Sequence, residues 1–177
     1  MASSLSVSSS LLLPIFLSFL FINHTHAATN ELITSICSST TNPSLCVQSL
    51  KSDPRTASAD LKGLGAISID IAQSNAKSTL NMIVSLVKQT TDPKLKGRYD
   101  TCRENYDDSV SDFDECRKFL KSGDYASLNT YASSALDGPD TCNDGFEGPP
   151  AEPPQLQAAN KKLEGLCSIV LAISNRL

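Results

Sequence analysis

The chain has 177 residues, 15 basic and 19 acidic, for a net charge of −4, which fits one domain. Residues 1–27 carry none of that charge but hold both histidines, His24 and His26, so the rest of the chain has no imidazole for general-base or metal-binding work. The six cysteines contain no Cys-x-x-Cys pair, and there is no basic tract, phosphate loop or dinucleotide glycine fingerprint, so zinc, nucleic acid and nucleotide cofactors are disfavoured and a binding or structural role outranks catalysis.

In chain order, residues 11–22 (LLLPIFLSFLFI) form an apolar run, followed by small residues at Thr25 and Ala27. Twelve residues are short of the roughly 20 that a membrane helix needs, so 1–27 reads as a secretory signal cleaved after Ala27. The mature chain has no Asn-x-Ser/Thr sequon, because Asn42 is followed by Pro43. It is expected to be soluble, unglycosylated and extracellular, where disulfides persist.

Residues 28–58 predict a helical hairpin, with pieces at 31–37 and 43–51, the second opened by Asn42-Pro43. Residues 59–177 predict four amphipathic helices. The first, 59–89, spaces Ile69, Ala72, Ala76, Leu80, Ile83 and Val87 by three and four. Asp92-Pro93 opens the second, 93–121, whose stripe includes Tyr99, Cys102, Tyr106, Phe113 and Cys116. Ser122-Gly123-Asp124 separates it from the third, 124–137, with Gly138-Pro139 expected to kink its end. A Pro-rich linker, 148–154, leads to the last helix, 155–176. Short turns between amphipathic helices give an all-α, antiparallel up-down-up-down four-helix bundle with the hairpin as an N-terminal appendage.

Six cysteines allow 15 full pairings. Cys37 and Cys46 can staple the hairpin. Cys102 and Cys142 both lie about 30 Å from the turn at Ser122, so they sit at one level on neighbouring helices. Cys116 and Cys167 fall roughly a turn apart, marginal for a bond, and two buried free thiols are favoured over a third disulfide.

The most unusual surface is on the second bundle helix. Residues 100–115 hold seven acids, Asp100, Glu104, Asp107, Asp108, Asp112, Asp114 and Glu115, against Arg103 alone. Lys94, Lys96 and Arg98 occupy the first turns, the reverse of what the helix dipole prefers. The run is either a solvated face or a surface for a basic partner. A carboxylate-pair hydrolase ranks last, because Glu104 and Asp108 are i,i+4 neighbours on a convex helix without a cleft.

The four-cysteine pattern in an exported helical bundle resembles the plant invertase and pectin methylesterase inhibitor family. The stretches NPSLC (42–46), SDPR (52–55), DLKGLG (60–65), SIDIAQ (68–73), TDPKLKGRY (91–99), ENY (104–106), SGDY (122–125), FEGPP (146–150) and CxIVLxIS (167–174) carry the resemblance across nearly the whole mature chain. It implies disulfides Cys37–Cys46 and Cys102–Cys142, with an unpaired cysteine at Cys167; Cys116 departs from the pattern. It also implies a monomer that binds pectin methylesterase 1:1 and non-covalently in the apoplast or cell wall, blocking the substrate cleft. The implied contact face lies on the second and third bundle helices and includes Glu104, Tyr106, Asp108, Thr141 and Asp144, with Arg98 and Thr101 at its edge. Tyr106 also lies on the apolar stripe and is equally a core candidate, and Thr141-Cys142 is equally a structural turn. Inhibition of acid invertase is the alternative activity within the same fold. No metal site, nucleic-acid partner or membrane anchor in the mature chain is expected.

Overall fold

A computed structural model describes residues 29–177, and the export signal read at 1–27 lies outside the described residues. Residues 29–37 are helical (α1). They are followed by α2 (Pro43–Ser52), a 3-10 turn (Pro54–Ser58), α3 (Leu61–Gln89), α4 (Pro93–Ser122), α5 (Tyr125–Asp144) and α6 (Pro154–Ser174). Local chemistry sets most starts. Asn42, Asp60, Asp92 and Asp124 each accept a hydrogen bond from a backbone N–H in the first turn of the helix that follows. Proline opens α2, α4 and α6, where its missing N–H has no intrahelical partner to lose.

Each long helix packs on two neighbours in a closed ring, α3 on α4, α4 on α5, α5 on α6 and α6 on α3. This is the up-down-up-down order that the short turns demand. The core holds Leu64, Ile69, Ile83, Phe113, Leu128, Leu156, Leu163 and Leu166, all essentially inaccessible. The N-terminal hairpin is packed on this core rather than hanging from it. Ile33, Ile36 and Leu50 are buried in the same cluster, and Leu45 rests on α6 at Gly165, where an added Cβ would come within 2.6 Å of Leu45 Cδ2. Arg176 donates to Ser35 Oγ at 2.9 Å and Ser39 Oγ at 3.1 Å, tying α1 and the turn after it to the end of α6.

One sequence expectation is corrected. The third bundle helix does not end at 137; α5 continues through Pro139 to Asp144. Proline has no N–H for the carbonyl four residues back, which would leave the Ala135 oxygen unbonded inside the bundle. Ser109 Oγ on α4 donates to that oxygen at 2.9 Å. It gets there because Gly138 has no side chain: a Cβ there would lie 2.0 Å from Ser109 Oγ and 2.8 Å from the Asn105 carbonyl oxygen. The α4–α5 contact is therefore close enough for one helix to repair the other.

Two disulfides are present, Cys37–Cys46 with Cα atoms 5.4 Å apart and Cys102–Cys142 at 4.6 Å. Cys116 and Cys167 are buried thiols without a bond to one another. Burial pushes the Cys116 thiol up to about 12, and burial with the charge of Cys116 beside it raises Cys167 further.

Candidate functional site

Helix α4 places its acids on two sides. Asp114 turns toward α3, where its carboxylate accepts from Gln73 Nε2 at 2.7 Å and pairs with Arg117 at 3.0 Å. Glu104, Asp107 and Asp108 are exposed, and Asp112 is half-buried toward α5. Helix α5 carries Asp137 and, on its added length, Asp140, Thr141 and Asp144, all exposed, beside that stripe. Asp112 feels the charges of Asp108 and Asp137, and Asp140 those of Asp137 and Asp144, so the two runs meet in an acidic ridge along the α4–α5 pair.

Few bases neutralise it. Arg103 reaches Asp100 at 3.3 Å and Glu104 at 3.6 Å, and Lys118 pairs with Glu115 at 2.8 Å. Among the described residues, no Lys or Arg forms an ion pair with Asp107, Asp108, Asp112, Asp137, Asp140 or Asp144. Two carboxyls of the ridge are raised, chiefly by burial. Partial burial lifts Asp112, and the charges of Asp108 and Asp137 add to it against a hydrogen bond with Ser134. Burial lifts Asp140 too, helped by Asp137 and Asp144. Like charges disfavour ionisation, which adds to the effect of burial at Asp112 and Asp140.

The disulfide sets the level of the ridge. Thr101 precedes Cys102 and Thr141 precedes Cys142, so the bridge that closes α4 onto α5 holds both exposed threonines at one height. Glu104 and Asp108 follow on α4, and Asp144 lies one turn beyond Thr141 on α5. Thr101 Oγ1 bonds back to the Gly97 carbonyl at 3.2 Å.

Two candidates are used differently. Of the two readings open for Tyr106, its position in the structure is that of a core residue. It is fully buried, and its hydroxyl donates to Asn160 Oδ1 at 2.6 Å. Asn160 Nδ2 in turn donates to Asn143 Oδ1 at 2.8 Å and Glu152 Oε1 at 2.7 Å, so the phenol ends a satisfied polar network joining α4, α5 and α6. Arg98 is committed to the segment between α5 and α6. Its guanidinium donates to the carbonyls of Glu147, Gly148 and Pro150 and lies 5.4 Å from the Phe146 ring centre. Lys94 joins it on the Pro149 carbonyl. Lys94 and Arg98 thus hold the Pro-rich linker, which accounts for their unfavourable place on the helix dipole.

Sequence reasoning missed Asp137 and Asp140 as members of the ridge. Their signal is present as Asp137, Asp140 and Asp144 at spacings of three and four, but it is visible only if the helix is carried through Pro139.

Residues 31–173 match the plant invertase/pectin methylesterase inhibitor family. The chain belongs to this family. It is 58% identical to the pectinesterase inhibitor of Actinidia deliciosa over 99% of its own length and 95% of that protein. It is 38% identical to a putative invertase inhibitor of Platanus orientalis over 77% of its length and 80% of that protein. Its fold resembles the crystal structure of a mutant pectin methylesterase inhibitor from Arabidopsis, with a TM-score of 0.75, 32% identity, and coverage of 82% of this chain and 96% of that one. Family members of this kind are inhibitors, and the chain is not an enzyme.

Proposed function

We propose that the protein inhibits plant pectin methylesterase by forming a reversible, non-covalent 1:1 complex that bars pectin from the enzyme's cleft. The observation that carries this reading is the acidic ridge on α4–α5, where Asp107, Asp108, Asp112, Asp137, Asp140 and Asp144 form no ion pair among the described residues, in a chain 58% identical to a pectinesterase inhibitor. A rigid bundle with solvent-facing carboxylates supplies shape and charge for docking. It supplies no imidazole or thiolate for chemistry, since both free cysteines are buried with raised pKa values. Inhibition is therefore steric and competitive.

Glu104, Asp108, Thr141 and Asp144 form the contact, with Thr101 at its edge; Arg98 supports it by fixing the linker. The free protein is a monomer. It reaches the cell wall through the export signal at 1–27. No helix among the described residues is long and apolar enough to cross a membrane.

The test is titration of the purified protein against a plant pectin methylesterase and an acid invertase in parallel. Expected are loss of esterase activity reaching its limit at one equivalent, a rise in apparent KM at lower doses, and unchanged invertase. Inhibition of invertase alone would replace the proposed target with the other enzyme class of the family's name.

A further inference from the structure

The last turn of α5 carries two of the proposed contact residues, Thr141 and Asp144, both exposed. Among the described residues neither makes a side-chain hydrogen bond or an ion pair, so their placement follows the backbone of that turn. The turn lies past Pro139, whose missing N–H interrupts the backbone ladder. On the α4 side it is fixed by Cys102–Cys142, a single point about which it can pivot. On the α6 side the tie is Asn143. Its Nδ2 donates to Glu164 Oε1 at 2.6 Å, and its Oδ1 accepts from Asn160 Nδ2 at 2.8 Å. Asn160 and Glu164 are four residues apart on α6, so they stand one turn apart on one face and a single amide reaches both. Asn160 is fully buried and is itself bonded to Tyr106 and Glu152. A carboxylate only accepts, so a flipped Asn143 amide would lose both bonds, and one orientation is selected. Attachment at two points fixes rotation as well as distance.

We propose that Asn143 is a positioning residue for docking: by fastening the last turn of α5 to α6 at two points, it sets the height and angle at which Thr141 and Asp144 meet the esterase. This rests on the reading of the α4–α5 face as the contact. It differs from a general stabilising role in the contacts it governs. Thr141 and Asp144 depend on it, whereas Glu104 and Asp108 stand on α4, whose only proline opens the helix. The phenol of Tyr106 is outside the tether, because Asn160 Nδ2 donates to Asn143 and Glu152 without it.

The test compares inhibition constants of variants against a plant pectin methylesterase, at a temperature where thermal melts show every variant folded. Asn143→Ala is expected to weaken inhibition about tenfold, the scale of one contact residue lost. In that background Asp144→Ala should cost less than about twofold more, whereas Glu104→Ala should cost as much as it does in the wild type. Glu164→Gln keeps an oxygen for the Asn143 N–H and should inhibit within about twofold of wild type, while Glu164→Ala should weaken inhibition toward the level of Asn143→Ala. In the free Asn143→Ala protein, hydrogen exchange should be faster over residues 142–147 and unchanged in α3. If neither Asp144→Ala nor Glu104→Ala weakens the wild type, the contact reading is overturned and the role of Asn143 with it. With that reading intact, the role is overturned if Asn143→Ala inhibits as wild type does, if it couples to Glu104 as strongly as to Asp144, if exchange over 142–147 is unchanged, or if Glu164→Gln is as weak as Glu164→Ala.

Discussion

Ser109 and Gly138 form one device, and each is expected to fail without the other. Ser109→Ala leaves the Ala135 carbonyl buried without a donor, which costs about 1–3 kcal/mol. Gly138→Ala drives a Cβ against Ser109 Oγ and the Asn105 backbone, an overpacking that a backbone atom cannot relieve and that costs at least about 2 kcal/mol. Denaturant unfolding of both singles and the double should give a non-additive cycle; strict additivity would mean the two helices do not meet there. None of this was legible in the sequence, where Gly138-Pro139 signals a break, because the donor that rescues the helix comes from another helix. Tyr106 was legible by its position on the apolar stripe, whereas the family resemblance drew it toward the surface. Tyr106→Phe removes the donor to Asn160 and should lower stability by about 1 kcal/mol while leaving inhibition per folded molecule unchanged. Lost inhibition at full folding would return Tyr106 to the contact.

At the scale of elements, the helices and their starts were readable because aspartate and asparagine caps, N-terminal prolines and apolar spacing are all local signals. The acidic ridge was only half readable, since α5 contributes acids beyond the expected helix end. Its crowding has a sign. Asp112 has a raised pKa in the folded state, so folding binds its proton more tightly and stability falls as pH rises through the carboxylate range. Asp112→Asn should therefore stabilise the protein at pH 7 by about 0.5 kcal/mol, a figure kept small by solvent screening, and have little effect at acid pH where the native carboxyl is protonated. Melting curves at both pH values check this; equal gains at both would mean the carboxylate is not strained. The proposed docking through this ridge carries a pH response that can be tested. A partner groove that is itself acidic would raise the carboxyls that face it, so affinity should weaken between about pH 5 and pH 7. Asp108→Asn and Asp144→Asn should flatten that slope. Replacing a central contact should cost roughly 1–3 kcal/mol of binding, and a rim contact much less. A slope untouched by both substitutions would put the pH sensor on the enzyme.

Across the whole molecule, the covalent and ionic ties join the same parts that the hydrophobic core joins. Cys37–Cys46 closes the hairpin, and Arg55 and Arg176 fasten its ends to α3 and α6. Cys102–Cys142 instead ties α4 to α5 beside the candidate contact residues. The two bridges should therefore fail differently. In the chain-entropy picture a bridge stabilises by restricting the unfolded chain, and a separation of 40 residues against 9 favours Cys102–Cys142 by about 1 kcal/mol. Replacing both of its cysteines with serine should lower the melting temperature more than the same change at Cys37 and Cys46. It should also weaken inhibition, because Thr101 and Thr141 lose their common level; the hairpin variant should lose stability while the folded fraction inhibits normally. Cys116 and Cys167 provide the internal control. Both are buried with raised pKa values, so alkylation of the native protein should be slow and denaturation should release two titratable thiols. Peptide mapping that finds Cys116 joined to Cys167 would add a third tie across the core and overturn this division of labour. Equal loss of inhibition in the two disulfide variants would show instead that the enzyme reads the fold as a whole rather than the α4–α5 ridge.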